Sequence, residues 1–236
     1  MTALTWATLQ TTVAAALVQA PSPYTVLPPD FATLLPQATS YAEGRICRDI
    51  VLLANRAMDS SLMTTAGTQT LSLAAMQTAN CLVVEHVSLV VGGVPYPFDT
   101  ASHDAIDLVW PNSALTLSPA AADWIGRWWG MFDDHTVLLA PTPDAAYQAQ
   151  VTGLFQPMPI SAANPSTYLS RTYPELLTAA CLVWLSGALK QNYGAQADDP
   201  KMAMSWEQTY QGLLGPAKAE EMRRRGLAPD NAAAKA

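Results

Sequence analysis

Three histidines are the first residues to weigh for chemistry. His103 is followed by Asp104, and His135 follows Asp133 and Asp134. A carboxylate beside an imidazole can orient a general base or share a metal ion. Neither cluster has the spacing that such work requires. Neighbours along a strand point to opposite faces, and no H-E-x-x-H pattern occurs. Both clusters fall where Asp is favoured in turns for backbone reasons, so turns are expected there. His86 stands alone in VVEHVS. G-x-S-x-G, P-loop and G-x-G-x-x-G patterns are absent from the sequence, and Gly92-Gly93 suits a hairpin better than a phosphate cradle. Cys47, Cys81 and Cys181 lie far apart in apolar stretches. Their odd number and wide spacing argue against a disulfide framework or a zinc site. Buried free thiols are expected, with no catalytic residue, no metal and no cofactor.

The aromatic and basic residues point to protein partners instead. Trp124, Trp128 and Trp129 could be core, interface anchors or a ligand box. A platform for single-stranded nucleic acid would interleave Arg and Lys, and only Arg127 is near. The formal net charge is −7, and no Lys or Arg occurs between Arg56 and Arg127. A duplex-DNA reader carries a basic face, so none is expected. The one basic concentration is Lys218 with Arg223, Arg224 and Arg225. Cations at a helix C-terminus contribute ~0.3–1 kcal/mol, which accounts for one or two of them. Three consecutive arginines suit pairing with a partner's carboxylates, because the guanidinium fork binds bidentately.

Composition agrees. Half of the 236 residues are apolar and only 13% are charged, against about 25% in an average domain. Surface this poor in charge implies apolar area covered by other chains. No apolar run reaches the roughly 18–20 residues that span a bilayer, so no membrane partner is expected. The start, MTALTWATLQ, lacks a basic n-region, so no signal peptide is expected.

Helical periodicity brackets the chain. Trp6, Leu9, Val13 and Leu17 line a first helix that Pro21 and Pro23 end. A second stripe runs from Phe31 past Tyr41 and Ile46, with Asp30 as N-cap. Pro36 inside it predicts a short turn followed by a fresh helix, ending near Asn55. From about Leu62 to Ile160 the pattern is β-rich. TTAGTQTLSL and NCLVVEHVSLVV read as strands, and VPYPF as an edge strand because of Pro95 and Pro97. Residues 120–130 read as a short helix or loop, and HTVLLAP with AYQAQVTGLF as a hairpin across PTPDA. Helical spacing returns with Leu176, Leu177, Ala180, Cys181, Trp184, Leu185 and Ala188. A last helix carries Met202, Trp206, Tyr210 and Leu213 and is expected to pack on the one before it, with Gly215-Pro216 interrupting it. The expected fold is α+β: a bundle of about four helices with an inserted β-rich domain. Its parts are residues 1–60, 61–165 and 166–215, then an extended tail, 216–236. Trp6, Tyr41, Ile46, Leu177, Trp184, Trp206 and Tyr210 are the expected bundle core.

Three segments carry a resemblance. FATLLPQATSYAEGRICRDI places Tyr41, Glu43, Arg45 and Ile46 in an aromatic-Ala-Glu-x-Arg-Ile pattern. HTVLLAPTPDAAYQAQVTGLFQPMPIS leads to a proline-rich exit, and YLSRTYPELLTAACL is followed by WEQTYQGLL. In this order they resemble the head-to-tail adaptor proteins of short-tailed bacteriophages. The resemblance implies a structural virion protein of the neck, assembled in the host cytoplasm. It implies a ring of twelve copies that joins the portal protein to a tail nozzle or tail-tube protein. Packaged DNA would pass through the channel without sequence-specific contact. The C-terminal segment would reach clefts of the portal, with Lys218, Arg223, Arg224 and Arg225 as docking residues. Alternatives are a tail terminator or tail-tube subunit, or a ligand binder or enzyme built on His103 or His135.

Overall fold

The computed structural model describes residues 4–18, 31–78, 80–188 and 200–226 of an α+β protein. The chain divides into two compact units, Met1–Ala54 with Met158–Ala236, and Asn55–Pro157. The expected boundaries near residues 60 and 165 lie several residues beyond the observed ones.

Helix α1 (Trp6–Val18) begins at a reciprocal threonine cap. Thr8 N donates to Thr5 Oγ1, and Thr5 N donates to Thr8 Oγ1 at 2.7 Å. Leu9 and Val13 are fully buried, and Trp6 and Leu17 pack beside them. Pro21 and Pro23 lie outside the described residues. Helix α2 (Phe31–Asp49) is one continuous helix through Pro36, not the broken pair expected from that proline. The buried stripe Phe31, Leu35, Ala38, Ala42 and Ile46 spans the proline. Burial of that stripe outweighs one lost backbone bond. The helix stops at Asp49, short of Asn55, and a 3-10 turn at Leu53–Asn55 follows.

The second unit is a curled seven-stranded sheet with order β1-β7-β3-β4-β5-β6-β2. The strands are β1 (Arg56–Met63), β2 (Thr70–Ser72), β3 (Cys81–Val91), β4 (Val94–Thr100), β5 (Trp128–Asp133), β6 (Thr136–Ala140) and β7 (Gln148–Phe155). Short helices α3 (Ala74–Thr78) and α4 (His103–Val109) lie between them. Pairing is antiparallel except between β4 and β5, which meet in parallel at Asp99–Trp128 and Thr100–Trp129. Gly92 and Gly93 turn β3 into β4 with φ of 58° and 85°, the positive pair that a tight two-residue hairpin requires. The expected hairpin between HTVLLAP and AYQAQVTGLF does not form. Strand β6 pairs with β5 and β2, whereas β7 runs between β1 and β3. β4 is not an edge strand, but its proline-bearing half is paired on one side only. The core holds Leu71, Leu73, Val87, Leu89, Leu139 and Val151. At Gly130 a side chain would meet Ala101 O at 2.5 Å, so the chain entering α4 can approach β5 closely only because that residue has none.

The helical unit resumes with α5 (Tyr168–Thr172), α6 (Pro174–Ala188) and α7 (Pro200–Arg224), giving it five described helices rather than four. Thr167 and Ser170 form a capping box at α5. Helix α6 buries Leu176, Leu177, Ala180, Cys181, Leu182 and Leu185, too wide a set for one stripe, and packs against α2, α7 and α1. Burial pushes the Cys181 thiol far up. Helix α7 continues through Gly215-Pro216, where an interruption and an extended tail were expected. Tyr210 is fully buried, Trp206 and Leu213 are half-buried against the same core, and the side chain of Met202 lies outside the described residues. Tyr210→Ala is therefore expected to cost ~3–5 kcal/mol, as aromatic truncations in cores do. Trp206→Ala should cost clearly less. Urea unfolding followed by far-ultraviolet circular dichroism measures both.

Candidate functional site

The aromatic-Ala-Glu-x-Arg-Ile segment lies on α2, whose register sends its members in different directions. Ile46 is fully buried. Tyr41, expected in the core, is 36% exposed. It sits roughly a third of a turn from the centre of the buried stripe at 3.6 residues per turn. Glu43 is only 1% exposed and accepts bonds from Thr167 Oγ1 at 2.8 Å and Ile160 N at 3.2 Å. Burial raises its carboxyl to about 7, against the lowering effect of those two bonds. Arg45 donates both terminal nitrogens to Glu207 at 2.8 and 2.6 Å and lies 4.2 Å from the Tyr210 ring centre. Tyr210 in turn donates its hydroxyl to Asp49 Oδ2 at 2.6 Å. This network ties α2 to α7.

The C-terminal basic cluster is part of the fold as well as of the surface. Between its members lies Glu221, 2% exposed. It accepts from Leu53 N at 3.0 Å, Tyr168 OH at 2.7 Å and Tyr173 OH at 2.9 Å, with Arg224 at 3.5 Å. Burial alone would raise this carboxyl. The three bonds and the Arg224 charge outweigh burial and hold it below the usual range. Arg224 also pairs with Glu220 and Tyr168. Arg225 donates to Val51 O at 2.7 Å. Arg223 and Lys218 are exposed and, at 3.6 residues per turn, project roughly 140° apart. Lys218 and Arg225 border a groove of about 200 Å³ walled by Ile50, Val51 and Met222. Residues 216–224, assigned from sequence to a docking tail, are thus helical and anchored.

The tryptophans divide. Trp129 is buried in the core of the β unit, and Trp128 is half-buried with its Nε1 donating to Ile125 O at 3.3 Å. The side chain of Trp124 lies outside the described residues. In the helical unit Leu177 is fully buried, and Trp6 and Trp184 are half-buried against its core. His103 starts α4 rather than a turn, with Ser102 as N-cap. Its ring lies 5.7 Å from that of Phe132. His135 is in the β5–β6 turn, where its N–H donates to Asp133 Oδ1 at 2.7 Å and lowers that carboxyl. The two histidine clusters bring no ligand set together. Among the described residues no group of three His, Cys, Asp or Glu could hold a metal ion, and no helix is long and apolar enough to cross a membrane.

These features belong to a helical unit pinned by buried carboxylates and a sheet unit with exposed apolar side chains. Compared with known families, residues 4–233 match the SU10 adaptor protein. The chain belongs to that family. It is a phage adaptor, hence a structural virion component. No curated protein matches the chain. In this adaptor the residues that sequence reasoning passed over are Glu221, Tyr168 and Tyr173. The Glu220-Glu221 pair beside a basic run carries no periodic signal, and the three donors to Glu221 come from positions 53, 168 and 173.

Glu43 gives a pH test. Its folded pKa is raised from 4.5 to about 7. Stability from this group is therefore fully present below its unfolded pKa and lost as pH rises through about 7. Glu43→Gln can keep both contacts, because the Thr167 hydroxyl can also accept. Thermal melting between pH 5 and 8 should fall with pH in the parent chain and flatten in the variant. An equal slope in both would show that Glu43 does not titrate in this range.

Proposed function

We propose that this SU10-family adaptor is the head-to-tail adaptor of its phage. In this reading it forms a ring of twelve copies in the neck, below the portal vertex. The ring joins the portal protein to a tail nozzle or tail-tube protein, and packaged DNA passes through its channel. The observation that carries this reading is the family match across residues 4–233. The low charged fraction and exposed apolar residues such as Phe132, Leu108 and Met222 support a surface made for protein contacts. A tail-terminator or tail-tube role has no observation in its favour here.

Portal docking falls to the face of α7 that carries Arg223. Arg224 is held by Glu220, Glu221 and Tyr168, whereas Arg223 is exposed and, among the described residues, bonds to Ala219 O on its own helix. Mixed with the portal protein of the same phage, the chain should co-sediment and give ring-shaped density beneath the portal in electron micrographs. Alone at low concentration it should remain small. Arg223→Glu should weaken capture about tenfold, the worth of one charge-assisted contact, with unchanged melting. A closed ring of the isolated chain at low concentration, or no capture by portal, would overturn the reading.

Duplex DNA should bind weakly. Residues 55–157 contain nine acidic residues and two basic ones, and the remainder contains ten of each. A ring of such subunits has no cationic excess with which to neutralise phosphates, so DNA can slide. Fluorescence anisotropy with labelled duplex checks this, and submicromolar, salt-sensitive binding would contradict it.

A further inference from the structure

The net charge of −7 resides entirely in the β unit, and the helical unit is neutral. Two exposed apolar features carry rims of opposite sign. On the β unit, Phe132 is 59% exposed beside the turn that joins β5 to β6. Its ring lies against that of His103, whose Nδ1 is 3.7 Å from Asp104 and 3.5 Å from Asp107. Asp133 follows Phe132 directly, and all three carboxylates are on exposed residues. This is an aromatic protrusion surrounded by negative charge.

On the helical unit, the groove between the end of α2 and the last turns of α7 has the opposite character. Its walls are Ile50, Val51 and Met222, the last two 40% and 49% exposed. Lys218 and Arg225 border it. Its two acids are already engaged, Asp49 by Tyr210 and Arg45, and Glu221 by the donors described above. Arg225 uses one nitrogen on Val51 O, and a guanidinium has five N–H donors. The groove holds about 200 Å³, and an apolar cavity of about 150 Å³ admits benzene. The volume is therefore enough for a phenyl ring.

We propose that Phe132 of one copy inserts into this groove on a second copy of the same chain, with Asp104, Asp107 and Asp133 facing Lys218 and Arg225. The two surfaces differ, so the contact is heterologous: each copy offers one protrusion and one groove, and copies can follow one another around a ring. The inference rests on the adaptor reading only for that closure into a ring. Opposite-sign rims set register and partner choice, and the buried aromatic supplies the anchor.

The test uses the full chain in sedimentation velocity over a concentration series at low and at high salt. The parent chain should self-associate at high concentration, less so in high salt. Phe132→Ala, the pair Asp104→Lys with Asp107→Lys, and the pair Lys218→Glu with Arg225→Glu should each weaken association at least about tenfold. Combining both charge-reversed pairs should restore it. Phe132 is exposed, so Phe132→Ala should fold even if the Arg225 variant loses stability. A parent chain that stays monomeric throughout, variants that associate as well as the parent, or reversed pairs that fail to rescue each other would overturn the proposal. Portal capture is measured alongside. Capture that persists while self-association is absent or insensitive to these changes sinks this contact and leaves the adaptor reading standing. Loss of portal capture by Phe132→Ala with self-association intact assigns the protrusion to the portal and overturns the proposal.

Discussion

A carboxylate removed from water must be surrounded by donors or it destabilises the fold by several kcal/mol, and the C-terminal part of the helical unit is arranged around one such group. Glu221 collects a backbone N–H from the segment after α2, one tyrosine hydroxyl from α5, another from the residue between α5 and α6, and the charge of Arg224 from α7. Three stretches of chain, around residue 53, residues 168–173 and residues 221–224, therefore have to be in place together. This explains why α7 persists beyond Pro216. Ending the helix there would remove Glu221 from its donors and expose Tyr168 and Tyr173, a larger loss than the ~3 kcal/mol of an internal proline. It also places Lys218 and Arg225 along the end of α2, where a mobile tail would not hold them.

Glu43 shows the same constraint met less completely. It has two donors, and burial dominates, so its carboxyl is raised while that of Glu221 is lowered. Protonation can satisfy Glu43, whereas Glu221 needs its charge to hold Arg224 and to accept from two phenols. Both acids are closed to solvent, but Glu43 lies deeper among protein atoms and has fewer donors, whereas Glu221 has three donors and the Arg224 charge, and together these differences set the opposite signs of the two shifts.

The α+β class, most strands and the helices at both ends were legible from periodicity, because 3.6- and 2-residue patterns survive wherever one face is buried. The β3–β4 hairpin was legible for a separate reason: Gly92-Gly93 can adopt the positive φ pair that few other residues tolerate. The partner of β7 was not legible. Short adjacent strands suggest a hairpin, but β7 pairs with β1 and β3, and that choice is made by packing among residues far apart in sequence. Strand β1, RAMDSSLM, has little intrinsic strand character, and its state comes from β7. Pro36 and Pro216, read as interruptions, lie inside helices, since local propensity is a weak term beside a buried stripe or an anchored acid. Among the site residues, Ile46, Leu177 and Tyr210 followed their periodicity into the core, whereas Tyr41 lies just outside the buried stripe.

The uneven charge has a consequence for assembly. A unit at −7 repels its own kind, whereas a neutral helical unit does not, so net charge disfavours a sheet-to-sheet meeting of two copies and leaves open the sheet-to-helical contact proposed above. Such a contact is directional, and whether a directional contact closes into a ring or runs on as a filament depends on the rotation between copies. Strong contacts in solution would lock in whichever rotation formed first. A contact made of one aromatic side chain and a few screened charges is weak enough to dissociate and re-form. A portal with its own rotational symmetry can then impose the rotation that closes. In the proposed ring, sparse charge and one exposed phenyl suit a subunit whose order is supplied by the surface on which it assembles.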